Sequence, residues 1–380
     1  MTEFYQYDEL TWPEVKALPR DTALVLPLGS GYPIDHVAEA FGKPPVIYLL
    51  PPFPFGWQGS GLVVSQGCLE RYLTNLVDSL RDDGFTNSLV IFPPGLNLHL
   101  PVPWIALPQN QPVLDQMPPD EARGKVVLIP IGHTEQHGYH LPLSTDTLII
   151  EAIGLGTAAA APDQATTLPV MPYGVSTHRA SFAGTLNAGG RAFEDFWVEV
   201  IDVLAGRGFD RLYLINGHGG NSSYITNAIK YAGERHRRIF CATAWLYLSG
   251  PDGVTALEKY RQSKTGGMGH ACELETSLIL HLRPELVHME RVVDEMNFIS
   301  TPSYYMDWVE GGALVANPPW DDDTQTGPYG AGSLATSEKG KIWLQAAIAE
   351  KIAHVAEIHF QQQLREQRRS SGYGLWGKKE

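Results

Sequence analysis

The segment GHTEQHGYHLPLSTDT, residues 132–147, concentrates side chains that can hold a divalent metal: Glu135, His137, His140 and Asp146. In extended chain, residues i and i+2 point to the same side, so Glu135 and His137 can face one centre. Asp146 follows a Pro-containing loop, at the start of a helical pattern. Two carboxylates and an imidazole this close together form a donor set for Zn²⁺ or a similar ion. Asp146 alone is equally well explained as a helix N-cap. Glu135 and His137, at the end of an apolar run, have no such ordinary explanation.

Four further segments carry unusual polar residues. LINGHGGN, 214–221, presents His218 on a Gly-rich turn between an apolar run and a helical one. Ligands of α/β proteins gather at such strand ends, and the following helix N-terminus favours negative charge. The segment has no GxxxxGK[ST] pattern, so a phosphate loop is not indicated. GGMGHACELETS, 266–277, offers His270, Cys272, Glu273 and Glu275. On a helix, Glu273 shares a face with Ser277, and Cys272 with Thr276; acidic residues there also suit an ordinary helix start. YGVSTHRASFAGTLNAGG, 173–190, carries His178 and Arg179 in a loop that either shapes a pocket or lies on the surface. GPYGAGSLATSEKGK, 327–341, reads as a Gly-rich lead into the last helix.

Short apolar runs position these segments. Ala23–Leu28, Leu89–Phe92, Val126–Ile131, Thr167–Met171, Leu212–Ile215 and Ile239–Ala244 read as buried strands. Thr147–Ala161, Phe193–Gly206 and Tyr224–Arg235 read as helices, and a last long helix starts near Thr336 or Ser337. The alternation predicts an α/β fold with a largely parallel sheet. The pattern also repeats. LVLPLG at 24–29 matches VLIPIG at 127–132, PFG at 54–56 matches PYG at 172–174, and DDGFTNSLVIFPPGLN at 82–97 matches GRGFDRLYLINGHGGN at 206–221. The order is the same, which suggests a duplicated unit. A Pro-rich acidic connector, Pro108 to Pro119, separates the two copies.

Composition narrows the class. The 380 residues are 43% hydrophobic and 18% charged, a globular profile. With 28 Lys+Arg against 42 Asp+Glu, the net charge of −14 lacks the basic footprint of a nucleic-acid binder or a protein held on anionic lipid. Cys68, Cys241 and Cys272 are far apart and odd in number, so no disulfide framework or CxxC metal site is expected. No signal core and no uninterrupted apolar stretch of membrane-spanning length is visible. The expectation is a soluble protein of a reducing compartment, most simply cytoplasmic.

Taken together, PIGHTEQHGYHLPLSTD, the YG…FAGT loop, LINGHGGN, HACELETS and SLATSEKG resemble the creatininase family of metal-dependent amidohydrolases, across about residues 113–360. LTWPEV at 10–15 resembles the family's opening. The resemblance implies a three-layer α/β/α creatininase-like fold with a largely parallel central sheet over 123–365. It would be preceded by a degenerate partial copy over 1–107, a linker over 108–122, and followed by a flexible tail over 366–380. It implies two divalent ions, with Zn²⁺ best suited and Mn²⁺ or Fe²⁺ as alternatives. By resemblance, Glu135, His137, Asp146 (bridging) and His218 are ligands, and Glu273 is the fifth, because Gly220 stands where some members have a glutamate. His270 stands at the proton-transfer position. His178, His133 and Trp245 are expected around the substrate, and a homo-oligomer is implied. The aligned positions in the first copy are Tyr32, Ile34 and Pro94, in place of Glu135, His137 and His218, so one metal centre per chain is expected. The implied reaction is hydrolysis of a non-peptide C–N bond in an amide, lactam or formamide. Two alternatives are an N-formyl hydrolase in a pyrimidine- or flavin-type pathway and a catalytically silent metal-binding scaffold. Creatinine itself is a poor expectation, since Gly219 and GGMG replace aromatic residues of the family's creatinine enzymes.

Overall fold

The computed structural model describes residues 1–110, 117–177, 181–308 and 312–372. Two parallel sheets form its frame. The first contains β1 (Glu3–Gln6), β2 (Ala23–Pro27), β3 (Val46–Leu49), β4 (Ser88–Phe92) and β5 (Trp104–Ala106), in the order β1-β3-β2-β4-β5. The second contains β6 (Val126–Ile131), β7 (Ala165–Thr167), β8 (Arg211–Asn216) and β9 (Phe240–Thr243), in the order β7-β6-β8-β9. A two-stranded antiparallel ribbon pairs β10 (Met268–His270) with β11 (Tyr329–Gly330).

Side-chain alternation along the second sheet gives each of its faces a separate layer. Val127, Ile129, Ile131, Leu212 and Leu214 pack toward α5 (Gly190–Gly206) and α6 (Ser222–Arg235). Val126, Leu128, Tyr213 and Ile215 pack toward α4 (Thr145–Ala160), α8 (Glu273–Leu282) and α9 (Ser337–Ser370), with α7 (Pro251–Tyr260) outside α9. The result is the expected three-layer α/β/α unit.

The first sheet is built the same way. Ala23, Val25, Ile47 and Ile91 face α2 (Ile34–Ala40), while Leu24, Leu26, Val90 and Phe92 face α3 (Gln66–Asp82). A short α1 (Trp12–Ala17) lies between β1 and β2 in the chain, its N-terminus closed by a capping box between Thr11 and Glu14. Helices α3 and α5 pack on each other, and Phe53, Phe55 and Tyr72 interlock with Phe193, Phe196 and Trp197 in one buried aromatic cluster.

Strands β2, β3, β4 and β5 stand in the same relative order as β6, β7, β8 and β9. The parallel bridges Leu28↔Phe53 and Gly56↔Val63 in the first unit have counterparts Ile131↔Met171 and Gly174↔Asn187 in the second.

The predicted strands appear with shifts of one or two residues, except that β7 ends at Thr167 and only a bridge at Met171 continues it. The connector expected at 108–122 lies partly outside the described residues. The tail expected from 366 is corrected at its start: α9 runs on to Ser370, where Arg368 and Arg369 in the last turn favour the helix C-terminus. Among the described residues, no helix is long and apolar enough to cross a membrane.

Candidate metal centre

The centre lies beyond the carboxyl ends of β6 and β8, the two central strands of the second sheet. Their register pairs Ile131 with Asn216, and Gly217 donates to the Ile131 carbonyl at 2.8 Å. The loops carrying Glu135 and His218 therefore leave the sheet side by side. Gly132 matters here because a Cβ would meet the Thr147 Cα at 2.5 Å. Its absence lets α4 begin directly on the strand end, which brings Asp146, in the first turn of α4, to the same point. Opposite, β10 and α8 supply His270 and Glu275. Between these elements Ala271 takes φ 48°, a left-handed conformation costing roughly 1 kcal/mol for an L residue. That tight turn lets a strand residue and a helix residue face one centre.

Five side chains converge there, all essentially buried. His218 Nδ1 lies 2.9 Å from Glu135 Oε1 and 3.2 Å from Asp146 Oδ2. His137 Nε2 lies 3.3 Å from Asp146 Oδ1 and 3.9 Å from Glu275 Oε1. The two oxygens of Asp146 thus address different imidazoles, as a carboxylate shared by two ions would. Overlapping groups with donor atoms within 4.8 Å of one another include His137–Asp146–Glu275, Glu135–His137–His270 and His133–Glu135–His218.

Backbone carbonyls set the imidazole tautomers. His137 Nδ1 donates to the Glu135 carbonyl at 3.1 Å, leaving the Nε2 lone pair for the centre. His218 Nε2 donates to the Val175 carbonyl at 3.1 Å, leaving Nδ1. This outer shell orients metal ligands in metalloproteins generally. His137 Nε2 and Asp146 Oδ2 are buried without a hydrogen-bond partner, an arrangement that calls for an ion. The charge balance agrees. Burial disfavours protonated His218, yet Glu135 and Asp146 push it up to about 9. Burial likewise opposes protonated His137, and Asp146, Glu275 and Glu135 raise it regardless. Protons on imidazoles compensate the carboxylates here, a charge that divalent cations would replace.

The fifth carboxylate is a correction. Glu273 was expected, but it points the other way. Its Oε1 is 2.5 Å from Lys339 Nζ, and its carboxylate accepts the backbone N–H groups of Gln262 and Ser263 at 3.0 and 2.8 Å. Burial alone would raise the Glu273 carboxyl, but Lys339 and these N–H groups hold it below its usual value. Residues two apart on a helix lie on nearly opposite faces. The Glu273–Ser277 face meets α9, where Thr336 N–H bonds Ser277 Oγ at 3.1 Å, so Glu275 takes the centre. No side chain fits at position 220, since a Cβ there would sit 2.4 Å from both His218 Nε2 and the Val175 oxygen.

The remaining expected residues divide. His270 Nε2 donates to the Gln136 carbonyl at 2.7 Å, so its Nδ1 faces the centre, 3.9 Å from Glu135 Oε1. Trp320 lies edge-on against its ring at 5.5 Å. Trp245 is half exposed and lines the cavity in front of the centre. His133 does not line that cavity and is fully buried behind Glu135, which corrects its expected substrate role. Its Nδ1 accepts the Gly174 N–H at 2.9 Å, so Nε2 carries the proton and is turned toward Glu135 Oε2 at 3.9 Å. That tautomer turns an N–H, not a lone pair, toward the Glu135 carboxylate. His140 is also turned away, with Nε2 2.9 Å from Thr276 Oγ1 and burial lowering it to about 4. His178 and Arg179 lie outside the described residues. Sequence reasoning missed Glu275 as the inward glutamate and the cavity wall supplied by Tyr304, Met306, Trp308, Val315 and Trp320. The helix face was the available signal for the first, and the wall had no motif.

The family profile described as creatininase, creatinine amidohydrolase, matches residues 115–355. The mycofactocin precursor peptide peptidase of Mycobacterium ulcerans (strain Agy99) is 36% identical over 174 residues, 44% of this chain and 62% of that protein. The match therefore spans less than two thirds of that relative's length. The creatinine amidohydrolase of Pseudomonas putida is 28% identical over 243 residues, 59% of this chain and 85% of that protein. A solved structure described as "Creatininase Mn" superposes with TM-score 0.53 at 26% identity, covering 63% of this chain and 92% of its own. With the profile covering more than half of the chain and the fold reproduced, the chain belongs to the creatininase family.

Proposed function

We propose that the chain is a metal-dependent amidohydrolase that cleaves a C–N bond of a small-molecule amide, lactam or formamide with activated water. The observation that carries this reading is Asp146, whose two oxygens lie 3.3 and 3.2 Å from the ligand-tautomer nitrogens of His137 and His218. Glu135, His137, Asp146, His218 and Glu275 would hold two divalent ions, with Zn²⁺ best suited to the donor set and Mn²⁺ or Fe²⁺ as alternatives. Such ions supply Lewis-acid polarisation of a carbonyl and a lowered pKa for water. The chain's own residues do the rest. His270, held by the Gln136 carbonyl, presents Nδ1 to take a proton from water and return it to the departing nitrogen. His133 places its Nε2 near Glu135, 3.9 Å from Oε2, and Trp320 shields His270 from bulk water. A creatinine amidohydrolase and a mycofactocin precursor peptide peptidase among its relatives, and a creatininase complexed with creatine among similar structures, support C–N bond hydrolysis.

Residues 1–107 are read as a degenerate copy of the same unit, supported by the shared strand order and bridges. Tyr32 there bonds its own Leu28 carbonyl at 2.6 Å instead of a metal. A cytoplasmic homo-oligomer belongs to the same reading.

The test is metal analysis of the reconstituted protein with a hydrolysis screen over lactams, cyclic ureas and formamides. About two divalent ions per chain and turnover lost in His270→Ala are expected. Fewer than about one ion per chain would overturn the dinuclear reading.

A further inference from the structure

The cavity in front of the centre, about 390 Å³, does not end at the reacting atoms. A second cavity of about 550 Å³ adjoins it, and the two share walls built by Trp245, Tyr304, Met306, Trp308, Val315 and Tyr329. Tyr304, Met306, Trp308, Val315 and Tyr329 of this wall lie between α8 and α9 and have no part in the catalytic reading. Its aromatic rings form a continuous path. Phe298 meets Tyr329 edge-on at 4.0 Å, Tyr329 meets Trp320 at 4.2 Å, and Trp320 meets His270 at 5.5 Å. Trp308 is anchored by its Nε1 bond to the Tyr247 carbonyl at 3.1 Å and lies edge-on to Trp245 at 6.2 Å.

This extension carries little charge. Among the described residues, neither cavity is lined by a lysine or arginine. Asp307 is the second cavity's one charged lining residue among those described, and it is spent on Arg261, with bonds of 2.6 Å to both guanidinium nitrogens, and on the Gly266 N–H at 2.7 Å. At the rim, Ile299, Leu314 and Val315 are 71%, 61% and 94% exposed, large apolar surface that a bound apolar group would cover. Gly219 leaves the passage open, since a Cβ there would meet nothing within 4 Å.

We propose that the substrate is elongated. Its scissile amide sits at the metal centre, and an uncharged aromatic or branched aliphatic chain runs past Trp245 and Trp308 into the second cavity. This rests on the amidohydrolase reading and adds the substrate class. A cleft lined by apolar and aromatic groups, with few polar atoms, selects by apolar area. An anionic chain finds no cation there and is rejected.

The test uses hydroxamates on the full-length, metal-loaded protein, because a hydroxamate binds divalent ions through its own two oxygens. Acetohydroxamate, 4-phenylbutyrohydroxamate and the monohydroxamate of succinate are compared by calorimetry. The phenylalkyl probe binds on the order of tenfold tighter or more than acetohydroxamate, and the carboxylate-tailed probe gains nothing. Leu314→Asp, at a rim position of the second cavity alone, removes most of that gain and leaves acetohydroxamate affinity unchanged. If acetohydroxamate binds and the phenylalkyl tail adds less than about twofold, the elongated substrate is wrong while the metal-centre reading stands. If none of the hydroxamates binds, both readings fall. If Leu314→Asp instead dissociates an oligomer in sedimentation, the apolar rim is covered by a second copy and the proposal is overturned.

Discussion

Two glutamates on the first turns of α8 have opposite duties. Glu273 is buried against Lys339, which also bonds Gln262 Oε1 and the Leu334 carbonyl at 2.8 Å each. Glu275 faces His137. Glu275→Gln should lower bound metal, read by elemental analysis, with the fold intact by circular dichroism. Glu273→Gln should keep the metal stoichiometry of the wild type and lose about 2–4 kcal/mol of stability in urea, because Lys339 is left buried without its counter-charge. The reverse pattern would restore Glu273 as the ligand. A second residue makes a pH prediction. Asp83 accepts the Gly184 N–H at 2.7 Å, and burial pushes its carboxyl up to about 6. For an acid whose folded pKa is raised, the stability contribution is complete below the unfolded value, roughly 4. It is lost as pH rises through about 6. Asp83→Asn keeps an acceptor for Gly184 and carries no charge. It should be more stable than wild type by about 1–2 kcal/mol at pH 8 and equal to it near pH 4, in chemical denaturation.

At the scale of elements, the N-terminal segment holds the metal-ligand loop. The Leu10 carbonyl accepts the Leu143 N–H at 2.9 Å, and the Leu143 carbonyl accepts the Glu135 N–H at 3.1 Å. The Asp8 carbonyl accepts the Ser144 N–H at 2.9 Å. Trp12 completes the clamp: its Nε1 donates to the Thr326 carbonyl at 2.9 Å, and its ring packs on Tyr139 at 5.3 Å and Phe182 at 5.2 Å. Trp12 touches none of the metal-centre residues, yet it spans loops on both sides of them. Trp12→Ala should therefore speed metal loss to a chelator by about tenfold or more, beyond its cost of about 3 kcal/mol in stability. Trp12→Phe should recover most of the metal retention, while losing the Thr326 bond. Equal metal-release rates in wild type and Trp12→Ala would remove this clamp.

For the whole molecule, the decisive feature is that both sheets feed one hydrophobic core. Tyr72 donates to the Tyr173 carbonyl at 2.8 Å, and Asn75 to the Ala188 carbonyl at 2.6 Å, so α3 is stitched to the catalytic unit by polar as well as apolar contacts. Removing residues 1–117 would expose Phe193, Phe196 and Trp197, all fully buried now. That truncated chain should be insoluble or molten when expressed, although it retains every proposed metal ligand. The intact chain should unfold in a single calorimetric transition. A chelator should lower its midpoint, because ions that bind only the folded state stabilise it by mass action. Two separate transitions would show that the units fold independently.

Most of the second unit was legible from the chain. Val126–Ile131 reads as a continuous apolar run because β6 is buried on both faces, and its β8 neighbour carries the same signature. Short or half-exposed strands, β1 and β5, left no such signal, since their burial is partial and their apolar residues few. The ligand motif around Glu135, His137, Asp146 and His218 was legible because those residues sit at strand ends next to glycines that only close approach requires. Which glutamate of HACELETS turns inward was not, because the choice depends on where α9 packs, and α9 lies some sixty residues away in sequence. The tautomer of His133 depends on an N–H from Gly174, and the apolar extension of the cleft on loops meeting from three parts of the chain. The sequence by itself determined the residue types, the strand-end placement and the family. Tertiary packing alone decided which of those side chains share a centre and how far the cleft in front of it extends, because both are set by contacts between segments whose local patterns carry no record of each other.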